Sequence, residues 1–399
     1  MKALPGRRRR VLIIVENLPL PFDRRVWQEA LALRDDGYEV SIICPKGRGH
    51  LSPYEFLEGI HIHRHPLPVE ADSAIGYGLE YGLSLFWEFM LSIRIALGRG
   101  FDVIHACNPP DTIFIIARFF KLFGKRFIFD HHDINPELYE AKFQRRDFWY
   151  RVLCRLEQWT FATADVSIAT NESYRRIAVE RGRMHPSRVF VVRSGPDLRR
   201  VRRVPPRPAL KRGRKYLVGY VGVIGKQEGL DLLLEAIVCL RRDLGRDDVH
   251  FVIIGSGTEV PALQAMSRRL GLEDCVEFKG RVSDHDLWET LGTADVCVNP
   301  DRANEMNDKS TMNKILEYMA LGKPIVQFDL TEGRYSAGDA SLYARPDDVA
   351  DFAGKLARLL DDPGLRARMG EIGRNRVQDE LAWHHQVPKL LAAYRAALS

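Results

Sequence analysis

Short apolar runs recur along the whole chain, each followed by a longer stretch whose apolar residues repeat at helical spacing, and this alternation constrains the fold more than any other feature. Runs such as Val11 to Val15, Val103 to Ala106, Tyr216 to Val221 and Ile325 to Phe328 are apolar on both faces, as strands inside a parallel sheet must be. Stretches such as Asp23 to Asp36 and Gly229 to Arg242 carry the helical period. Strand and helix in turn build a parallel sheet with helices on both faces. At 399 residues the chain outgrows a single core, so the predicted fold class is α/β, with two Rossmann-like doubly wound sheets and a cleft between them.

Further strands are predicted at Glu39 to Cys44, His61 to Arg64, Phe127 to Asp130, Val166 to Ala169 and Val189 to Val192 in the first domain, residues 1–204. The stretch from Arg193 to Lys215 combines four prolines with many basic residues and no apolar period, which marks a linker. The second domain, 213–380, adds strands at His250 to Ile254, Val276 to Lys279, Val296 to Asn299 and Ser341 to Ala344. In open parallel sheets ligands sit beyond the carboxyl ends of the strands, so the loops after each strand are the places to seek chemistry.

Composition narrows the class. Hydrophobic residues make up 45% and charged residues 28%, which excludes a disordered chain. The six cysteines show no CxxC pair and lie mostly in apolar runs, as buried reduced thiols do. Neither a metal site nor a cofactor is suggested, and a net charge of +6 goes with no nucleic-acid partner. The four arginines Arg7 to Arg10 precede an apolar run too short for an export signal, so a cytoplasmic location is expected. Tyr77 to Leu97 is apolar but carries Glu80, Glu88 and Arg94, which argues against a membrane span. Thr112 to Arg126 places Arg118, Lys121 and Lys125 on an apolar helix and admits either a core helix or contact with an anionic membrane.

The segment from Asn299 to Pro324 runs from a strand end through a polar loop into a helix. Ser310 reads as the helix N-cap, with the N–H groups of Thr311 to Asn313 presented to an anion. Lys309 and Lys314 add charge, Ser310 and Thr311 add hydroxyls, and Glu317 can accept two ribose hydroxyls one to two turns on. Gly222 and Gly225 allow a phosphate close to the backbone after the first strand of this domain, beside Lys226. Gly255 and Gly257 repeat that pattern, and Arg281 follows the next strand. In the first domain His131, His132 and Asp133 stand at a strand end, where only one histidine is expected to face the ligand. Asp23 reads as a helix cap.

Together these residues resemble the family-4 glycosyltransferases, retaining enzymes of the two-lobed GT-B fold. The resemblance rests on Val221-Gly222, Ile254-Gly-Ser-Gly257, Leu316-Glu-Tyr-Met-Ala-Leu-Gly-Lys-Pro-Ile325, His132-Asp133 and the terminal helix at Trp383, and it covers nearly the whole chain. It implies a nucleoside diphosphate sugar as donor, Glu317 on the ribose, the loop at Lys279 to Val282 near the base, and His132 near the transferred sugar. It also implies that the last helix, 382–399, returns to the first domain. The family's E-x7-E motif is altered, because Lys309 stands where the first Glu belongs, and its basic pair after the first strand falls at Val223 and Glu228. Asp308 or Glu305 is expected to take part of the sugar contact. The expected reaction moves a sugar, UDP-linked by preference, to a glycan or lipid-linked acceptor in surface polysaccharide synthesis, with His132, Asp133 and Lys309 at the reacting centre and no metal. A sugar-nucleotide epimerase and a non-catalytic nucleotide-sugar-binding partner are the alternatives.

Overall fold

The computed structural model describes residues 9–47, 49–66 and 74–399, with side chains of the third stretch from residue 82. Arg7 and Arg8 therefore lie outside the described residues, as do the side chains of Tyr77 and Glu80. Two compact units form: the first holds Met1–Arg193 and Gln386–Ser399, the second Ser194–His385.

The first unit is built on one eight-stranded sheet. Its strands are β1 (Arg10–Val15), β2 (Glu39–Pro45), β3 (Tyr54–Leu57), β4 (Ile60–His65), β5 (Val103–Cys107), β6 (Arg126–His131), β7 (Val166–Ala169) and β8 (Val189–Val191). They lie in the order β3-β4-β2-β1-β5-β6-β7-β8, and every pairing is parallel except β3 with β4. The order reverses at β1 and β5. β1 and β5 are buried nearly throughout, as strands covered on both faces must be. The helix Arg24–Asp35 follows β1, and Asp23 caps it as expected, accepting from the Val26 N–H at 3.1 Å. Gly37 ends it with a positive φ of 92°.

The second unit holds β9 (Tyr216–Val221), β10 (Val249–Ile254), β11 (Val276–Gly280), β12 (Val296–Asn299), β13 (Ile325–Phe328) and β14 (Ser341–Ala344). The order is β11-β10-β9-β12-β13-β14, all parallel, so here the reversal falls between β9 and β12. Leu230, Leu233, Leu234 and Ile237 of the helix Leu230–Arg242 pack into a core with Phe251 and Phe352. The basic stretch after Arg193 belongs with this unit: Lys211 pairs with Asp295 at 2.8 Å, and the Arg207 N–H donates to Thr293 Oγ1 at 2.9 Å. Among the described residues no helix is long and apolar enough to cross a membrane. All six cysteines are free.

Candidate active site

In the second unit the loops after β9, β10 and β12 meet at the point where the strand order reverses, and their backbones lie directly on one another. The Gly222 N–H donates to Ile254 O at 3.1 Å, Ile224 N–H to Ser256 O at 3.0 Å and Gly255 N–H to Gly280 O at 2.9 Å. A Cβ on Gly255 would stand 1.8 Å from Gly222 O, and one on Gly257 2.1 Å from Ile224 O. These two positions must be glycine for the loops to close into a cradle of main-chain groups. The cradle extends to β12, because Asn307 Nδ2 donates to Gln227 O at 2.9 Å and to Arg302 O at 2.8 Å. Lys226 projects from the rim, exposed and with no ion pair among the described residues. Arg281 is exposed after β11.

The segment 305–320 departs from the sequence reading in its capping. Two short helices form, Glu305–Lys309 and Asn313–Ala320. Asn304 caps the first by accepting from the Asn307 N–H at 2.9 Å. Ser310 is not an N-cap: it closes the first helix, and its hydroxyl donates to Met306 O at 2.7 Å. The residue at the cap of the second helix is Met312, which makes no side-chain capping bond, so the N–H groups of that helix's first turn meet no side-chain cap. Thr311 lies in the connection and Glu317 is half-buried in the second turn.

The charged residues of this segment have partners within the fold. Asp308 accepts from the Thr331 N–H at 2.8 Å and the Thr331 hydroxyl at 3.0 Å, which commits both its oxygens to the start of the helix Thr331–Ala337. Lys309 pairs with Glu305 one turn earlier. Lys314 is buried and donates to Glu228 Oε2 at 2.5 Å and Asp301 Oδ1 at 2.9 Å, with the Tyr220 hydroxyl at 3.3 Å. Burial works against the Lys314 charge, yet Asp301, Tyr220 and Glu228 hold its pKa well above the ordinary value. Burial pushes the Asp301 carboxyl up to about 7 against the pull of Lys314. Burial opposes ionisation of Glu228 as well, but there Lys314 prevails and its pKa falls. Lys314 thus balances Glu228 and Asp301 beneath the cradle instead of reaching out of it as the sequence suggested.

In the first unit β6 carries His131 and His132 to opposite sides. His131 is fully buried, 3.5 Å from Glu157 and against the rings of Phe161 and Tyr174. His132 keeps 15% of its side chain exposed. Asn108, after β5, fixes the backbone there: its Oδ1 accepts from the His132 N–H at 2.7 Å and the Asp133 N–H at 3.1 Å, while its Nδ2 donates to Asp133 O at 2.6 Å. Burial raises the Asp133 carboxyl. His132 Nε2 meets Asp130 Oδ2 at 2.5 Å. Sequence reasoning passed over Asn108 and Asp130 as site residues. For Asp130 the signal was available, since a side chain two positions before His132 on a strand lies on the same side.

Two parallel sheets in tandem, the second with a glycine-lined crevice where its strand order reverses, define a GT-B α/β protein. Residues 215–362 match the family model of glycosyl transferases group 1, and residues 23–200 that of glycosyltransferase family 4. Between them the two models reach into both units, so the chain is similar to group 1 and family-4 glycosyltransferases along most of its length. It is similar to the 2-deoxystreptamine glucosyltransferase of Streptomyces kanamyceticus, with 28% identity over 203 residues, 50% of either chain. It is also similar to the MMP alpha-(1->4)-mannosyltransferase of Mycolicibacterium hassiacum, with 27% identity covering 77% of this chain and 74% of that one. The chain spans about half the length of several curated relatives that it matches. Among solved structures, sucrose-phosphate synthase of Thermosynechococcus elongatus shares the fold with a TM-score of 0.78 at 17% identity, covering 97% of this chain and 98% of that one. Anabaena HepE in complex with UDP-glucose gives 0.74 at 13% identity over 97% and 99%.

Proposed function

We propose that the protein transfers a sugar from a nucleoside diphosphate donor, UDP-linked by preference, to a glycan or lipid-linked acceptor of surface polysaccharide synthesis, with retention of anomeric configuration. The observation that carries this reading is the main-chain cradle at Gly222, Gly255 and Gly257. The N–H groups of Gly222 and Gly255 are taken up between the loops, so what the glycines offer a diphosphate is a close approach to the backbone, and the donors come from the start of the helix Asn313–Ala320, which has no side-chain cap. Lys226 adds the mobile positive charge, and Glu317 accepts the ribose hydroxyls. Ser310, Thr311 and Lys309 border the phosphates, and Arg281 lies toward the base. The departing diphosphate is stabilised by these fixed dipoles and charges, with no metal required of the donor site. In the first unit, His132 and Asp133 attend the transferred sugar. UDP accompanies the related HepE fold, and the relatives named above transfer hexoses, which supports a hexosyl or N-acetylhexosaminyl group.

The donor site is tested by thermal shift. UDP in excess over its Kd should raise the melting temperature, since a ligand that binds only the native state stabilises it. Loss of the ribose contact in Glu317→Gln removes a charged hydrogen bond of about 1.5–3 kcal/mol, so UDP should bind at least about tenfold more weakly. Should UDP, GDP and ADP all leave the melting temperature of the wild-type chain unmoved, the cradle is not a nucleotide site.

A further inference from the structure

The first unit has a cavity of about 500 Å³ at the edge of its sheet away from His132. Asp165, just before β7, and Arg188, just before β8, both line it. His132 follows the carboxyl end of β6, and β6, β7 and β8 are parallel, so the cavity lies at the opposite ends of these strands. One wall is the helix Phe148–Thr163, with Arg155 and Trp159, and the other is the loop after the helix Glu172–Glu180, with Arg181 and Arg183. That loop is held from both sides. A Cβ on Gly182 would stand 2.5 Å from the Phe161 ring, so the loop can press against the first helix only with glycine there. Its N–H donates to Ile177 O at 2.9 Å and the Met184 N–H to Ala178 O at 3.0 Å, which ties the loop to the second helix.

The charges around the cavity do not balance. Arg181 is spent inside the fold, on Glu157 Oε2 at 2.5 Å and Glu137 Oε1 at 2.6 Å. Asp165 accepts from Lys121 Nζ at 2.9 Å and from the Phe127 N–H at 2.8 Å. Arg155, Arg183 and Arg188 have no ion pair among the described residues: Arg155 reaches Gln158 Oε1 at 3.5 Å, and Arg188 donates to Ala396 O at 2.6 Å. Three guanidinium groups on one concave surface repel one another unless an anion is supplied. The guanidinium fork meets phosphate oxygens in pairs, and a phosphate has oxygens enough for several forks at once. Trp159, half in solvent and with its ring 6.1 Å from that of Phe114, gives the cavity an apolar side that suits the carbon skeleton bearing such a group. The volume falls within the range of about 300–1,000 Å³ usual for small-molecule sites.

We propose that this cavity is a second ligand site, which takes the phosphate of a small phosphorylated compound or of a phospholipid headgroup between Arg155, Arg183 and Arg188. It shares no residue with the glycine cradle or with the loop at His132, so it stands whether or not the sugar-transfer reading does. Its place at the amino ends of the strands makes it a site of anchoring or regulation, remote from the groups at His132.

Calorimetric titration of the full chain with glycerol 3-phosphate reads a soluble ligand, with UDP in excess so that the cradle of the second unit does not compete for phosphate. Sedimentation with phosphatidylglycerol vesicles reads a headgroup. In the arm that binds, Arg155→Ala together with Arg183→Ala should weaken affinity at least about tenfold, the factor that one charged hydrogen bond is worth. Both side chains are exposed, so the melting temperature should hold. Arg176→Ala, which removes the same charge from an exposed position outside the cavity, should leave affinity nearly unchanged at physiological salt. Glycerol 3-phosphate binding that is lost in the double variant assigns the site to a free phosphorylated compound, and vesicle binding alone with the same loss assigns it to a lipid. Absence of binding in both arms overturns the proposal, as does binding that survives the double variant or that Arg176→Ala weakens equally.

Discussion

Lys314 shows how a single side chain can be read correctly for charge and wrongly for purpose. Its neighbours in sequence, Asn313 and Ile315, say only that it opens a helix next to a polar loop, which suits a phosphate ligand. The partners that decide its role, Glu228 and Asp301, come from two other loops and are invisible to local pattern. Removing one member of a buried ion cluster leaves the others uncompensated, so Lys314→Ala should cost about 3–5 kcal/mol in denaturant unfolding. Loss of a surface phosphate ligand would leave stability untouched. The cluster also predicts a pH slope. Asp301 titrates near 7 in the fold and at the ordinary, lower carboxylate value when unfolded. The native state therefore binds the extra proton between those values, and the contribution to stability is fully present at the acid end and lost as pH rises through about 7. Unfolding midpoints measured from pH 4 to 8 should fall less steeply in Asp301→Asn than in wild type; parallel slopes would place the proton elsewhere.

Elements were legible where burial on both faces wrote an unbroken apolar run. Val166 to Ala169, Tyr216 to Val221, Val296 to Asn299 and Ile325 to Phe328 are strands with the bounds read from sequence, and so is the half-buried edge strand Ser341 to Ala344. β3 escaped because Tyr54 to Leu57 lies at the sheet edge, half in solvent, and joins β4 through Glu58 and Gly59, both at positive φ. Capping near residue 310 was misread for a comparable reason. Ser310 heads the longer amphipathic helix in sequence, but Asn304 opens a five-residue helix first and uses up the loop. The two positions should respond differently to alanine. Asn304→Ala removes an N-cap and should cost about 1 kcal/mol, within the range of about 0.5–2. Ser310→Ala loses a hydroxyl bond to a helix carbonyl rather than an N-cap and should fall below that. Chemical denaturation of the two variants decides between the cap observed and the cap read from sequence, and equal losses would argue for neither.

At the scale of the whole molecule, the first unit presents an apolar surface that is left exposed among the described residues. Phe86, Trp87 and Met90 on the helix Ala74–Leu97 and Phe119, Leu122 and Phe123 at and after the helix Phe114–Lys121 are all exposed. The two helices adjoin, because the rings of Phe89 and Phe119 stand 5.1 Å apart edge to face. Exposed Arg94 and Arg118 lie on the same two helices, whereas Lys121, which the sequence grouped with Arg118, is taken up by Asp165 at 2.9 Å. A patch of large apolar side chains with basic residues beside it suits the interface of an anionic bilayer, with roughly 1 kcal/mol from each basic group near the surface in addition to apolar burial. That arrangement would bring a lipid-linked acceptor to the unit that carries His132. The full chain should sediment with vesicles containing phosphatidylglycerol, bind pure phosphatidylcholine far less, and lose much of the difference between 50 and 500 mM salt as charge is screened. Leu122→Glu together with Phe123→Glu should abolish vesicle binding with little effect on the melting temperature, since both side chains are largely in solvent. Binding that survives this pair, or its absence on anionic vesicles at low salt, would show that the surface has some other use.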